Sequence, residues 1–238
     1  LVGQDLSNIK LLVIAEQSMG EVVQYIRFVK QLAMEGAEIT VMASSDLSEL
    51  LMRQKWIKNV IEYEDNVEYD YYTYLLSIPR VLEWSPKMDT QKFPYLLVDD
   101  SPSEKGINTN KNIGIMLSAD NSLSNYKEIN VPEGQLRMIL KDSNHNIIDL
   151  STIDDFNMLS EVVRDLDLVI SIDSDVVHLS GALNIPTWIM LSSVPKHTWD
   201  LTYKDTSPWY PSVELFRQEL RDNWSGVIKR IEERLSNV

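Results

Sequence analysis

The 238-residue chain contains no cysteine. That excludes disulfides, thiolate metal sites and cysteine nucleophiles. Histidine is scarce as well: His145, His178 and His197 are the three present, too scattered for a multi-histidine metal site. Eight glycines and nine prolines are too few for a low-complexity or disordered protein. No apolar run approaches the roughly 18–20 residues of a transmembrane segment, and no signal peptide opens the sequence, so a cytoplasmic protein is the expectation. Basic residues are outnumbered, 22 against 36, for a formal net charge of −14. Nucleic acid as a partner is thereby excluded, since phosphate neutralisation needs a basic stripe. A chain that opens on Leu1 reads as part of a longer protein.

What is present is an α/β rhythm. Ile9–Ala15 is a short apolar run that reads as a buried strand, and Val22, Val23, Ile26, Val29 and Leu32 recur at helical spacing up to Gly36. Glu38–Ala43 and Lys58–Glu62 read as further strands, with a helix capped by Asp46 between them. The segment 66–83 is aromatic and fits neither pattern. The polar stretch 99–111, with Pro102 and Gly106, is the best linker. A second rhythm follows: strands at 113–117, 137–141, 147–150, 167–172 and 187–191, and helices at 155–164, 176–183 and 224–235. Alternation of this kind implies parallel sheets covered by helices. The expected architecture is two Rossmann-like lobes, 1–105 and 106–238, with ligands in the crevice beyond the strand carboxyl ends.

Two turns are candidates for chemistry. The first runs from Ala15 to Val22, where Gly20 precedes a helix. It is not a dinucleotide fingerprint. Glu21 falls in the first helical turn, where the helix dipole keeps a carboxylate ionised. It is either a general base toward a hydroxyl or simply a favourable charge at a helix start. The second turn follows the run Asp167–Ile172, with Asp173, Ser174 and Asp175 at the strand tip and His178 about one turn into the next helix. Ser174 or Asp173 suits the N-cap, and the N–H groups beyond it suit a diphosphate. His178 either reaches a phosphate or ribose, or is a satisfied core histidine. Trp209 and Tyr210, stiffened by Pro208 and Pro211, either stack on a ligand or plug the core.

A family resemblance rests on these residues. Ala15-Glu16-Gln17-Ser18-Met19-Gly20-Glu21-Val22-Val23-Gln24-Tyr25-Ile26-Arg27-Phe28 resembles the A-E-Q-G-L-G-D-x-I-Q-F-x-R-Y segment of bacterial glycosyltransferase-like domains that follow tetratricopeptide repeats. Those are similar to the lipopolysaccharide heptosyltransferases. The segment 167–183 resembles the family's D-L-V-I-S-V-D-T-A-V-A-H-L-A-G-A-L, and 205–211 and 215–218 resemble D-S-P-W-Y-P and L-F-R-Q. The resemblance implies a GT-B fold, two lobes with parallel sheets facing a cleft, and transfer of a sugar from a nucleotide-sugar to a glycan or protein acceptor without metal or other cofactor. It implies Glu21 as the catalytic base, and Gln17, Ser18, Met19 and Gly20 with Trp209 and Tyr210 on the acceptor side. Donor binding then falls to Asp173, Ser174, His178, Lys141, Ser118 and Asn121. It also implies upstream tetratricopeptide repeats and a last helix returning to the first lobe.

Three departures matter. Glu21 stands where the family has Asp, and a displaced carboxylate can cost about 100-fold in rate. Asp175 stands where the family has a small neutral residue; a carboxylate about 4 Å from a diphosphate costs roughly 1–4 kcal/mol. The stretch 118–136 is too short for the family's R-S element and its helix. These departures define the alternative, a degenerate relative that binds sugar, nucleotide or protein without turnover.

Overall fold

The structure is a computed structural model, and it describes residues 5–63, 65–85, 92–98, 110–117, 131–199 and 202–237. The chain forms two compact units. One comprises Leu1–Pro102 with Asp155–Glu161, the other Ser103–Asp154 with Val162–Val238. The expected boundary at residue 105 lies outside the described residues.

The first unit is built on four parallel strands: β1 (Lys10–Ile14), β2 (Glu38–Met42), β3 (Asn59–Ile61) and β4 (Tyr71–Tyr74), in the order β3-β2-β1-β4. Helix α1 (Met19–Met34) links β1 to β2 and buries Val22, Val23, Ile26, Val29 and Leu32, as their spacing foretold, together with Phe28. It stops where Gly36 takes a φ of 103°, a left-handed conformation that favours glycine. Helix α2 (Ser45–Met52) links β2 to β3; its N-cap residue is Ser44, not Asp46, which lies inside the first turn. A short α3 (Ile78–Val81) follows β4, so the ambiguous aromatic stretch resolves into an edge strand and a helical turn.

The second unit has five parallel strands: β5 (Asn112–Met116), β6 (Asn146–Asp149), β7 (Leu168–Ile172), β8 (Thr187–Leu191) and β9 (Val213–Arg217), in the order β6-β5-β7-β8-β9. Its helices are α4 (Glu133–Asp142), α6 (Asp175–Ala182) and α7 (Ser225–Leu235), while α5 (Phe156–Arg164) passes from the first unit, which holds it through Glu161, into the second. β7 and β8 are buried along their whole length, as central strands of a covered parallel sheet must be. Trp224, Val227, Ile228, Ile231 and Leu235 place α7 in the core of this unit, with Ile113, Ile170 and Met190.

Residues 137–141, expected as a strand, lie within α4. Parallel neighbours β5 and β6 need a crossover of a dozen or more residues, and α4 supplies it. Leu136 and Leu140, four apart, are buried while Met138 between them is exposed, a helical pattern rather than a strand pattern. β9 was not anticipated from the sequence. Its run Val-Glu-Leu-Phe-Arg sets partly buried Glu214 and Arg217 around a buried Leu215 and Phe216.

Candidate functional site

In an open parallel sheet the ligand crevice forms where strand order reverses, because loops from the two flanking strands leave in opposite directions. In the second unit that point is between β5 and β7. Ile172 ends β7, and Asp173, Ser174 and Asp175 follow at the carboxyl tip. Ser118 and Asn121, expected beyond β5, lie outside the described residues.

Asp173 is 6% exposed, and the Lys196 ammonium stands 3.9 Å from its carboxylate. Burial pushes the Asp173 carboxyl above the ordinary carboxylate value; Lys196, the Trp199 indole and His197 pull the other way. The Trp199 N–H approaches the carboxyl without reaching hydrogen-bond geometry. Ser174 occupies the N-cap position of α6 with an extended backbone, but its hydroxyl turns back to Ser171 Oγ at 2.9 Å and does not cap the helix. Ser171 in turn donates to the Ile172 carbonyl at 2.6 Å. Asp175 is the first residue of α6 and half-buried.

His178 is 7% exposed. Its Nδ1 lies 2.8 Å from the Tyr210 hydroxyl, and its ring stacks on Trp199 with centroids 5.6 Å apart and planes inclined by 19°. One proton is shared across this contact, and the tautomer of the ring decides which partner donates. Tyr210 and Trp199 are fully buried. Gly181, one turn beyond His178, makes this packing possible: a β-carbon there would lie 2.5 Å from two atoms of the Tyr210 ring. Trp209 is half-buried, its indole N–H donating to the Thr198 carbonyl at 3.0 Å.

Lys141 is not part of this group. It is exposed in the last turn of α4, beside the amino ends of β5 and β6, where the Lys111 amide donates to His145 Nδ1 at 3.3 Å. With Arg137, His145, Ile115, Leu140 and Ile147 it lines a depression of about 330 Å³. Its expected place at a strand's carboxyl end is therefore corrected.

In the first unit the strand order reverses between β1 and β4, so the loop after β1 falls at the corresponding position. Gln17 and Ser18 are exposed, Met19 is half-buried and Gly20 is buried. Ser18 caps α1 and forms a capping box with Glu21. Glu21 Oε2 accepts from the Ser18 hydroxyl at 3.0 Å and from its amide at 3.4 Å, while the Glu21 amide donates to Ser18 Oγ at 3.4 Å. Ala15 is held from both sides, its amide donating to the Met42 carbonyl at 2.9 Å and its carbonyl accepting from the Tyr63 hydroxyl. Behind this loop the buried Arg27 guanidinium lies over the Tyr95 ring at 4.4 Å and donates to the Tyr95 hydroxyl at 3.0 Å.

Lys196, Trp199 and Gly181 are site residues that the sequence did not single out. The signal for Lys196 was the pair Lys196-His197 in the loop after β8, a local positive charge in a chain of −14. Among the described residues, no three acidic or histidine side chains gather so as to hold a metal ion. Likewise, no described helix is long and apolar enough to cross a membrane.

Two parallel α/β units, each with a loop at its switch point, define the class: a doubled Rossmann-like fold of the kind found in GT-B glycosyltransferases. Solved structures share it over nearly the whole chain. A glycosyl transferase of family 9 from Veillonella parvula superposes with a TM-score of 0.67 at 11% identity, covering 98% of this chain and 97% of the other. E. coli heptosyltransferase WaaC with ADP-2-deoxy-2-fluoro heptose gives 0.65 at 11% identity, over 95% of this chain and 100% of the other. E. coli ADP-heptose lipopolysaccharide heptosyltransferase II gives 0.60 at 12%, over 96% and 98%. At such identity the likeness is one of fold. No protein-family model and no curated protein sequence matches the chain.

Proposed function

We propose that the chain is a glycosyltransferase of the GT-B type, binding a nucleoside diphosphate sugar on the second unit and an acceptor hydroxyl on the first. The observation that carries this reading is the position of Asp173–His178 at the switch point of the second sheet, with the Lys196 ammonium beside it. That ammonium answers the electrostatic demand of an anionic donor in an acidic chain. The α6 amides, not capped by the Ser174 hydroxyl, offer N–H donors to the diphosphate. His178 and Asp173 flank this position and contact the phosphate or ribose.

Transfer follows from Glu21. Its carboxylate takes the proton of the acceptor hydroxyl, the freed oxygen bonds to the anomeric carbon, and the bond from that carbon to the diphosphate oxygen breaks. The nucleoside diphosphate leaves with the electron pair, and no metal is required. Glycan and protein hydroxyls both satisfy this chemistry.

A second reading, binding without turnover, is favoured by one specific observation: the Glu21 carboxylate is already engaged by Ser18 in the capping box. Calorimetry against nucleoside diphosphates and their sugars, followed by Glu21→Gln, separates the two. Gln keeps the capping box but cannot take a proton. Loss of transfer with unchanged nucleotide affinity supports the transferase. Nucleotide binding without transfer in the parent chain supports the second reading, and no binding at millimolar nucleotide overturns the transferase.

A further inference from the structure

The β4 edge of the first unit has no part in the proposed transfer. Four of the chain's ten tyrosines fall between residues 69 and 74, and all are about half exposed: Tyr69 48%, Tyr71 46%, Tyr72 56% and Tyr74 47%. Tyr72 and Tyr74 share one face of β4, as alternate residues of a strand do. With Tyr69 they form a chain of edge-on ring contacts, centroids 6.1 and 6.2 Å apart. β4 is the last strand of its sheet, and among the described residues no strand pairs with its outer side. An exposed aromatic edge of this kind is a liability unless it has a partner.

Charge decides which partner. Glu68 and Asp70 flank Tyr69 where the chain enters β4, and no Lys or Arg occurs between Lys58 and Arg80. The surface already attracts one cation of the chain itself: the Lys10 ammonium, from neighbouring β1, reaches Glu68 at 3.5 Å while both side chains stay exposed. Ring faces and carboxylates together favour a cation that can be partly desolvated. A neutral glycan gains nothing from the charge, and an anionic one is repelled. We infer that the β4 edge docks an extended polypeptide segment rich in lysine or arginine, adding to the sheet as a strand in the manner of β-augmentation.

The test is an amide-shift titration of the ¹⁵N-labelled chain. The probe is a nine-residue peptide of alternating lysine and valine; its glutamate–valine counterpart and maltohexaose are the comparators. The basic peptide should shift amides within 69–74 and bind more weakly as salt rises. Tyr72→Ser with Tyr74→Ser should weaken it at least tenfold, while Tyr72→Phe with Tyr74→Phe, which keeps the rings, should not. Glu68→Gln should flatten the salt dependence. Shifts outside β4, equal binding of the acidic peptide or of maltohexaose, an unaffected serine variant, or concentration-dependent shifts without peptide (a second copy on the edge) would each overturn the inference. No nucleotide enters the experiment, so its outcome is independent of the transferase reading.

Discussion

The ring of Tyr210 occupies the space that a side chain at position 181 would fill. Gly181 is one turn beyond His178 on α6, and the missing β-carbon lets Tyr210 come close enough to hold His178 Nδ1 at 2.8 Å. Gly181→Ala must push the ring away. Overpacking of a full core costs about 1–3 kcal/mol, so the melting temperature should fall by several degrees, and any nucleotide affinity that depends on His178 should fall with it. An unchanged melting temperature would mean that the ring yields at no cost.

Tyr210→Phe keeps the ring and removes the hydroxyl. The buried His178 then loses the hydrogen bond at Nδ1, at a cost of about 1–3 kcal/mol. The imidazole ¹⁵N shifts should report a changed tautomer balance, a readout that simple loss of packing would not move.

Asp173 sets a pH dependence whose sign is fixed. Burial raises its folded-state affinity for a proton above the ordinary carboxylate value of 3.8. Between that value and the higher folded value the folded chain holds more protons than the unfolded chain, so this group's contribution to stability is full below 3.8 and is lost as pH rises through the folded value. Asp173→Asn should abolish that part of the decline. Lys196→Met, which removes the cation 3.9 Å away, should move the Asp173 carboxyl titration further upward when followed by ¹³C shifts. A downward movement would contradict the assignment.

Ser18 and Glu21 can be separated by stability measurements. Ser18→Ala removes the N-cap of α1 and should cost about 0.5–2 kcal/mol in denaturant unfolding. Glu21→Gln should cost much less, because glutamine closes the same box. A Glu21→Gln variant as unstable as Ser18→Ala would make the carboxylate's charge structural.

Arg27 is a buried cation whose partners demand a guanidinium. Its Nε donates to the Gln24 carbonyl at 2.8 Å, and the same group lies over Tyr95. Lysine offers neither the fork nor the planar stack. Arg27→Lys should therefore destabilise the first unit by about 1–2 kcal/mol, read as a lower midpoint in urea.

The elements legible in the sequence were those with one dominant signal. Asp167–Ile172 is a run of buried residues bounded by an acidic start and a capping tip, and both β7 and α6 lie within a residue of their expected bounds. Helix α4 was misread because Met138-Ile139-Leu140 is apolar in a row, which masks the four-residue spacing of Leu136 and Leu140. Strand β9 was hidden by the charges at Glu214 and Arg217, which lie on partly exposed positions of a strand at the edge of the sheet. The site was legible on its own turn, at Asp173–His178, and illegible where tertiary structure brings in distant groups. Lys196 and Trp199 reach Asp173 and His178 from the loop after β8, where the one local signal is the pair Lys196-His197. Lys141 failed for the same reason as α4, since a residue assigned to a strand tip belongs to the opposite edge once its segment is helical.

The pairing of β4 with β1 bears on how the first unit assembles. β1, α1, β2, α2 and β3 follow one another and pair with near neighbours, whereas β4 returns to β1 across about 60 residues, as the Lys10–Asp70 contact marks. Closing so long a loop costs entropy that only late contacts repay. We expect β4 to be the last strand to dock and the first to leave, with its amides exchanging with solvent faster than those of β1 and β2. The tyrosine edge is then a surface that exists only on finished molecules, and a partner that grips it distinguishes completed chains from those still folding.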